Sequence, residues 1–230
     1  MEQATPSQGL GVLHLFCKLP AAGQPPADRE AFLQTIKERQ AAGTQVVTVA
    51  MLGHKADLAV MALDADLWSL RRLQTAVEEA GLSVVDSYVS LTELSEYAPN
   101  LPEEAKQARL YPNLPPEGKQ AWCFYPMSKR RNPEQNWFTT AFDERVALMA
   151  EHGKSGRKFA GRIVQLITGS TGLDDYEWGV TLFAQRPDDL KAVVYTMRFD
   201  QASAIFAEFG PFYTGMVASP QEVADEIGFR

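Results

Sequence analysis

The sequence is poor in cysteine and histidine and has no excess of positive charge. Its 230 residues include 2 Cys and 3 His, and 22 Lys and Arg against 29 Asp and Glu leave a formal net charge of −7 at pH 7. This acidic balance argues against a general nucleic-acid-binding protein, because binding to phosphates needs clustered cations over a broad face. Cys17 and Cys123 each lie in an apolar run, which predicts two reduced core thiols.

Long apolar runs are also missing from the sequence. No stretch approaches the roughly 18 apolar residues that a membrane span needs. The opening residues, MEQATPSQGLG, are polar and lack the basic-then-apolar pattern of a signal peptide. We therefore expect a soluble, cytoplasmic protein that neither crosses a membrane nor binds nucleic acid. Its 45% apolar and 22% charged residues are ordinary for a globular chain.

The order of predicted strands and helices repeats along the chain, as judged from apolar periodicity and turn residues. The first half has a strand, a helix, two strands, a helix and a strand, at 10–18, 28–42, 44–52, 56–63, 66–80 and 82–94. The second half has the same order, at 121–127, 143–159, 162–168, 177–184, 188–198 and 211–217. Two β-α-β-β-α-β units predict an α+β fold, in which two ferredoxin-like halves form a dimeric α+β barrel within one chain.

A proline-rich stretch separates the two predicted halves. It contains Pro99, Pro102, Pro112, Pro115 and Pro116, which indicate an irregular connector with at most one short helix. We therefore divide the chain into an N-terminal ferredoxin-like half (1–95), the connector (96–120) and a C-terminal ferredoxin-like half (121–230). A connector of this length inside a compact chain is often functional.

One histidine has a pattern compatible with metal ligation. His152 lies in a predicted helix, with Met149 three residues before it and Phe159 seven residues after it, on the apolar and inward face. His14 lies in an apolar strand, where we expect a hydrogen-bonded core histidine, and His54 lies in a turn, where we expect a solvated one. Spacing alone favours a hydrogen-bonded ring over a ligand at His152 as well. A single axial imidazole is nevertheless enough to hold a haem.

Three consecutive cations, Lys129, Arg130 and Arg131, follow a predicted strand in this acidic chain, and Arg109 and Arg162 are further cations of interest. A charged run is most often a solvated surface, and it could equally mark an oligomer interface. Aromatic residues surround the run in sequence, however, and the combination of aromatics, cations and one inward histidine fits a flat apolar ring with carboxylates. A polycarboxylate porphyrin meets that description. A flavin or a nucleotide fits less well, since no glycine-rich phosphate loop is present.

Several longer motifs occur in order through the C-terminal half. They are YPM at 125–127 with KRR at 129–131, EHG at 151–153, GRKFAG at 156–161, TGSTGLDDYEWGVTLFA at 168–184, MRFD at 197–200 and EFGPFYTG at 208–215. These motifs resemble the coproheme decarboxylases, the haem-biosynthetic branch of the chlorite dismutase family. The resemblance covers nearly the whole chain, with a weaker match in the N-terminal half. It implies a duplicated ferredoxin-like fold, usually a homopentamer, with the haem held in residues 121–230.

The resemblance implies catalytic and ligating roles for three residues. His152 matches the proximal ligand of the iron. Tyr125 matches the tyrosine that becomes a radical, and Lys129 matches the catalytic lysine beside it. Both are therefore expected to contact the porphyrin.

Further porphyrin-binding residues come from the same resemblance. Gln165 matches the distal glutamine of one branch, whereas chlorite dismutases carry an arginine there, so we do not expect breakdown of chlorite. Arg109 matches an arginine that holds a propionate, and Ser203 matches a small hydroxyl residue at another propionate. Arg131 is added from its charge alone. Phe138, Ile205 and Pro211 differ from the side chains expected in the family, which leaves the wall of the pocket undefined.

The activity implied by the resemblance is a peroxide-dependent oxidation. Ferric coproheme III (Fe-coproporphyrin III) would lose two of its four propionates as carbon dioxide, giving haem b through a three-propionate intermediate. The resemblance also suggests transient contact with ferrochelatase. Two other classes of protein stay open. A non-catalytic haem or porphyrin carrier would keep His152 without needing Tyr125 or Lys129, and a cofactor-free α+β-barrel oxygenase or binding protein would leave the cationic run on the surface.

Overall fold

The computed structural model describes residues 2–97 and 99–230, so that residue 1 of the predicted N-terminal half and residue 98 of the predicted connector lie outside the described residues. The N-terminal half consists of β1 (Gly11–Lys18), α1 (Arg29–Ala41), β2 (Gln45–Met51), β3 (Leu58–Asp64), α2 (Leu67–Glu79) and β4 (Ser83–Thr92). The connector contains one short helix, α3 (Glu103–Leu110). These elements agree with the predicted order.

The C-terminal half repeats the order with several short additions. It consists of β5 (Ala121–Lys129), the hairpin strands β6 (Arg131–Asn132) and β7 (Gln135–Asn136), a 3₁₀ turn (Trp137–Thr139), α4 (Phe142–Arg157), β8 (Ile163–Gly169), β9 (Trp178–Ala184), α5 (Pro187–Met197), α6 (Gln201–Ala204), β10 (Ala207–Phe209), β11 (Tyr213–Ala218) and α7 (Pro220–Glu226). The elements that the sequence did not predict are β6, β7, the 3₁₀ turn, α6, β10 and α7.

Caps and glycines set the ends of the N-terminal helices. The side chain of Asp28 accepts a hydrogen bond from the backbone N–H of Ala31 and begins α1, and Asp66 begins α2 in the same way. Beyond the C-terminal ends of these helices, Gly43 and Gly81 have positive φ angles of 100° and 87°. A side chain with a Cβ rarely adopts that conformation, so glycine ends both helices at the predicted points.

Eight antiparallel strands close into a barrel in the order β5-β11-β2-β3-β1-β4-β8-β9, with β9 pairing back to β5. Within each half the order is that of a ferredoxin-like unit, β4-β1-β3-β2 in the first and β11-β5-β9-β8 in the second. The halves join where β4 pairs with β8 and where β11 pairs with β2. The predicted dimeric α+β barrel is therefore confirmed, whereas the domain boundaries at 95 and 121 stay a prediction.

The interior of the barrel is filled by aromatic and aliphatic side chains from both halves. Phe16, Trp122, Phe124 and Phe183 are fully buried there. His14 lies among them, and its Nε2 is 3.0 Å from the hydroxyl oxygen of Thr181. Burial lowers the pKa of His14 to about 3, so the ring is neutral. The expectation of a core histidine is confirmed.

Helices cover the outer faces of the two half-sheets in different ways. In the N-terminal half, α1 and α2 bury Phe32, Ile36, Leu70, Leu73 and Val77 against the strands. In the C-terminal half, α5 packs on β5 and β9, but α4 has no buried residue at all. The helix α4 therefore stands away from the sheet.

Among the described residues, no helix combines the length and apolar character needed to cross a bilayer.

Candidate functional site

A cavity of about 520 Å³ lies between the outer face of the C-terminal strands and α4. This volume is in the range of ligand-binding pockets. The cavity is lined by most of the residues that the sequence analysis singled out, namely Arg109, Tyr125, Lys129, His152, Gln165 and Ser203. Apolar side chains complete the wall, among them Trp137 and Phe209. The six singled-out residues come from five parts of the fold, and other polar side chains, among them Glu93, Ser95 and Glu96, also line the cavity.

The cavity exists because α4 is attached to the protein mainly through other helices. Gly156 of α4 faces α5, and a Cβ at this position would lie 2.9 Å from Cε of Met197. Leu148 and Met149 on α4 contact a small cluster that includes Trp137 and Phe206. These contacts with α5 and with the cluster around Trp137 hold α4 in place, and they leave the space between α4 and the sheet open.

His152 faces this cavity from α4 and has a defined partner on its other side. Its Nδ1 lies 3.0 Å from Oδ2 of Asp200 and 3.3 Å from Oγ of Ser203. Asp200 also begins α6 by accepting a hydrogen bond from the backbone N–H of Ser203. Burial alone would raise the pKa of Asp200, but the bonds from His152 and Ser203 hold this pKa below its usual value.

The Asp200 contact determines which nitrogen of His152 is free. An ionised carboxylate only accepts hydrogen bonds, so Nδ1 of His152 carries the proton of this bond, and in the neutral ring the lone pair is on Nε2. A histidine whose Nδ1–H is bound to a carboxylate is a more basic and better oriented metal ligand. His152 lines the cavity, in keeping with the inward face expected from the sequence, whereas the sequence does not predict its pairing with Asp200. The only local signal for it was an aspartate at a helix start in the MRFD motif.

Tyr125 is 4% exposed and lies on the outer face of β5, toward the cavity. Cys123 shares its face, while Trp122 and Phe124 point into the barrel, as the strand alternation predicts. Burial and the nearby Cys123 raise the pKa of the Tyr125 hydroxyl, although the charge of Arg198 opposes the shift. The phenol is therefore neutral at physiological pH.

Lys129 ends the same strand and is 7% exposed. Its Nζ donates a hydrogen bond to the carbonyl oxygen of Ala202 at 2.8 Å and lies 4.5 Å from the centre of the Trp137 ring. Burial lowers the pKa of Lys129 to about 8, against the opposing effect of the negative charges of Asp200 and Glu177. This amine therefore gains and loses its proton close to physiological pH.

The short segment Asp200–Ser203 connects the two ionisable groups. Asp200 accepts from His152, and the carbonyl of Ala202 accepts from Lys129. Ser203 contacts His152 from the same turn. The iron-ligand candidate and the buried lysine are thus held by one helical turn, which the sequence analysis did not predict.

Gln165 reaches the cavity from β8, whereas His152 reaches it from α4. Gln165 and Ile167 are exposed on β8, and Val164 and Leu166 contact the cluster inside the barrel, as the predicted alternation requires. A ligand between α4 and the sheet would therefore meet an imidazole from one wall and an uncharged amide from the other. Arg109, at the C-terminal end of α3, is exposed and supplies positive charge at the cavity.

The structure does not bring Arg131 to the cavity. Its side chain is 67% exposed, and it faces the carboxylate of Glu177, with 4.0 Å between a terminal guanidinium nitrogen of Arg131 and Oε1 of Glu177. Arg130 instead donates to the side chain of Gln135 at 2.6 Å. Arg131 does not reach the cavity because β5 ends at Lys129 and the hairpin β6–β7 leads the chain away from the cavity. Of the cationic run, Lys129 alone lines the cavity.

The three residues that differ from the expected family pattern do not line the cavity either. Phe138 is 52% exposed, Ile205 packs with the cluster around Trp137, and Pro211 is exposed between β10 and β11. Their departures from the family pattern therefore do not alter the side chains that line the cavity.

Both cysteines are free and buried, which confirms the prediction of core thiols.

Comparisons with known proteins point to one family. The family model described as chlorite dismutase matches residues 27–218. The chain is 44% identical over 185 aligned positions to a coproheme decarboxylase from Staphylococcus carnosus, covering 75% of this chain and 72% of that protein. It is 40% identical over 226 positions to a Natronomonas pharaonis protein named for heme binding, covering 87% of this chain but only 37% of that protein.

Solved structures show the same architecture. A heme-binding protein from Thermus thermophilus superposes with a TM-score of 0.85 at 33% identity, over 99% of both chains. A mutant chlorite dismutase from Candidatus Nitrospira defluvii superposes with a TM-score of 0.76 at 18% identity, over 96% of both chains. The second likeness supports the fold alone.

Proposed function

The chain belongs to the chlorite dismutase family, and from that premise we propose that it is a coproheme decarboxylase. In this role it is an oxidoreductase that uses hydrogen peroxide to convert two propionates of ferric coproheme III to vinyl groups. The product is haem b, and a three-propionate porphyrin is the intermediate. One observation carries the proposal: a buried phenol, a buried lysine and a carboxylate-bound imidazole, from Tyr125, Lys129 and His152, line the same cavity.

The cavity suits an iron porphyrin because its groups match the three parts of that ligand. His152 offers Nε2 to the iron, with Asp200 behind it. Trp137 and Phe209 offer apolar surface to the ring. Lys129 and Arg109 offer cations to the carboxylates, and charge-assisted hydrogen bonds of this kind are stronger than neutral ones. The bound iron supplies redox chemistry with peroxide that amino-acid side chains do not have.

Each decarboxylation is a two-electron oxidation of one propionate. A C–H bond on the carbon next to the ring and the bond to the carboxyl carbon break, a C=C bond forms, and carbon dioxide leaves. Peroxide accepts the two electrons and, with two protons, becomes two molecules of water. One of these protons comes from the broken C–H bond, so each round consumes one proton from elsewhere. The site must therefore provide both an electron relay and a proton source.

Tyr125 serves as the electron relay in this proposal. Its neutral phenol would give an electron and a proton to the first oxidising equivalent of the peroxide, and the resulting radical would take a hydrogen atom from the propionate. This step regenerates the phenol, so Tyr125 is unchanged after each round. The carbon radical left on the substrate would then give its second electron to the remaining oxidising equivalent as carbon dioxide leaves and the C=C bond forms. The burial of Tyr125 supports this role, because the elevated pKa keeps the O–H bond intact until oxidation.

Lys129 serves as the cation and the proton source. An amine with a pKa of about 8 is mostly protonated at neutral pH and can still release its proton. Its ammonium group would exchange the carbonyl of Ala202 for a propionate oxygen when the substrate binds. After decarboxylation that partner becomes an apolar vinyl group, so product binds less tightly than substrate.

Gln165 favours peroxide over chlorite as the oxidant. Its uncharged amide donates and accepts hydrogen bonds without placing a permanent charge in the cavity. Removal of chlorite in this family uses an arginine in the corresponding position. We therefore propose that this chain does not break down chlorite.

The decisive experiment is incubation of the purified protein with ferric coproheme and hydrogen peroxide, followed by mass spectrometry. We expect stepwise loss of two carboxyl groups through a three-propionate species. A Soret shift on mixing without any loss of mass would instead identify a porphyrin carrier. No Soret shift would identify a cofactor-free protein and would refute the proposal.

The remaining features of the proposal concern assembly and location. We propose a cytoplasmic homopentamer that receives coproheme through transient contact with ferrochelatase. Light scattering on the eluting protein tests the subunit number. Titration of labelled protein with ferrochelatase, with and without coproheme, tests the contact.

A further inference from the structure

The chain between β10 and β11 crosses directly over Tyr125. One edge of β5 pairs with β10 at residues 127–129 and with β11 at residues 121–124. Between these two pairings, the backbone N–H of Gly210 donates to the carbonyl of Pro126 at 2.9 Å. The short segment 210–212 therefore lies beside Tyr125, in the gap between the two strand pairings on this edge of β5.

Phe212, the last residue of this segment, stacks on the Tyr125 ring. The ring centres are 4.5 Å apart and the planes are inclined by 23°. Phe209 meets the same ring edge-on, with 5.6 Å between centres and 63° between planes. Phe209 lines the cavity and Phe212 does not. Phe212 thus supports the phenol from outside the cavity without taking part in ligand binding.

The N-terminal half of the chain holds Phe212 in place. Nζ of Lys55, in the loop between β2 and β3, donates to the carbonyl oxygen of Phe212 at 2.6 Å and lies 5.2 Å from the centre of the Tyr213 ring. In the same loop, the backbone N–H of Leu52 donates to the carbonyl of Thr214 at 2.9 Å. One hydrogen bond on each side of Tyr213, to Phe212 and to Thr214, therefore fixes this segment to the N-terminal half of the barrel.

We infer that Phe212 is a positioning residue that fixes the orientation of the Tyr125 phenol, and that Lys55 anchors Phe212 from the N-terminal half. The inference rests on the proposed role of Tyr125. A hydrogen atom moves efficiently only between well-aligned partners, and misplacement by about 1 Å can lower a rate by about 100-fold. Stacking leaves the phenol one orientation toward the cavity. A loop of the N-terminal half would thereby control the geometry of the reaction.

The first test measures how tightly the Tyr125 ring is held, without any porphyrin or peroxide. Ring-flip rates are obtained by NMR on protein with isotope-labelled tyrosine, and the Tyr125 signal is assigned by its absence in Tyr125→Phe. We expect Phe212→Leu to accelerate the flips of Tyr125 by about two- to tenfold, the range corresponding to loss of one aromatic contact. Phe199→Leu, at an exposed position whose aromatic contact is with Tyr195 and not with Tyr125, is the control and should leave the rate unchanged.

The second test measures the reaction in the loaded protein. We expect Phe212→Leu to lower kcat for decarboxylation about tenfold while KM for coproheme changes less than about twofold, because Phe212 does not line the cavity. The hyperfine couplings of the Tyr125 radical in electron paramagnetic resonance should broaden, since they depend on the angle of the ring. Lys55→Met should show a smaller change in the same direction, and Lys55→Arg should restore the wild-type values. Lys37→Met, on the exposed side of α1, is the control.

The two tests separate failure of the inference from failure of the proposed function. Unchanged ring flips in Phe212→Leu would overturn the inference whatever the protein catalyses. Faster flips with unchanged kcat would also overturn it, because the contact would then be structural only. If the wild type does not decarboxylate coproheme, the proposed function fails and the catalytic part of the inference fails with it. If Phe212→Leu does not fold, Lys55→Met tests the Phe212–Tyr125 stacking instead, because Lys55 is exposed and anchors Phe212 through its carbonyl.

Discussion

Oδ2 of Asp200 lies 3.0 Å from Nδ1 of His152, and the two residues are 48 positions apart in the sequence. Asp200 is almost fully buried, while His152 lines the cavity. The carboxylate therefore acts on a ligand in the cavity through the imidazole, whose orientation it sets. The four residues from Asp200 to Ser203 also hold Lys129, so one helical turn influences both the proposed iron ligand and the proposed proton source.

Replacement of Asp200 by Asn should weaken the iron site without unfolding α6, because Asn is as good a helix N-cap as Asp. We expect the affinity for coproheme or the rate to fall about tenfold or more, which is the usual effect of losing the partner of a metal ligand. The reduction potential of the bound iron should become more positive, since a less basic imidazole stabilises the ferric state less. Spectroelectrochemistry measures this shift. Asp188→Asn, at an exposed residue of α5, is the control, and an equal shift there would contradict the assignment.

Replacement of His152 by Ala should change the iron ligation but preserve part of the porphyrin affinity. The Soret spectrum of the ferric coproheme complex should shift, because the imidazole ligand is lost. Binding should persist through the cations, since a hydrogen bond to a charged group is typically worth about 1.5–3 kcal/mol. Absorption titration measures both quantities. His54→Ala, at an exposed turn, should match the wild type, and an unshifted spectrum in His152→Ala would rule out ligation by this residue.

Replacement of Tyr125 by Phe should abolish conversion and keep binding. The phenyl ring preserves the contact with Phe212 but has no O–H bond to give or to receive a hydrogen atom. The loss should be about 100-fold or more, the scale for removal of a group that takes a proton in the transition state. Peroxide titration of the coproheme complex with mass spectrometry measures it. Tyr195→Phe, at a 62% exposed position, is the control. Full conversion by Tyr125→Phe would exclude the radical role.

Sequence periodicity was sufficient to predict the long elements and the faces of the strands. In β5 and β8 the side-chain alternation decides which residues enter the barrel and which face outward, and this depends only on the strand period of two. In the structure this alternation puts Tyr125 and Gln165 on the outer face, toward the cavity. The repeated order of elements similarly predicted the two halves of the barrel.

Contacts between distant parts of the chain were not predictable in this way. The pairing of Asp200 with His152 and the stacking of Phe212 on Tyr125 depend on short elements, α6 and the segment before β11, that are too short to produce a periodic pattern. The charge of Arg131 indicated that it could bind a carboxylate but not where its side chain would lie. Its position depends on the turn after Lys129, which is a property of the tertiary structure.

The buried lysine provides a prediction for the pH dependence of stability. The pKa of Lys129 is about 8 in the folded protein, below the ordinary lysine value of 10.5 that applies to the unfolded chain. Between these values the unfolded chain holds a proton that the folded protein has released. The free energy of unfolding therefore rises with pH in this window, and below about pH 8 the cost of burying the charged amine is present in full.

Comparison of the wild type with Lys129→Met isolates this contribution, because Met preserves most of the side-chain volume without an ionisable group. We expect the free energy of unfolding of the wild type, relative to the variant, to be constant below about pH 8 and to rise by at most about 3 kcal/mol toward pH 10.5. Urea unfolding at a series of pH values measures the difference, with Lys37→Met as the control that should show no such rise. A difference that is flat or falls through this window would mean that Lys129 keeps its proton in the folded protein, and its proposed part in proton delivery would then be wrong.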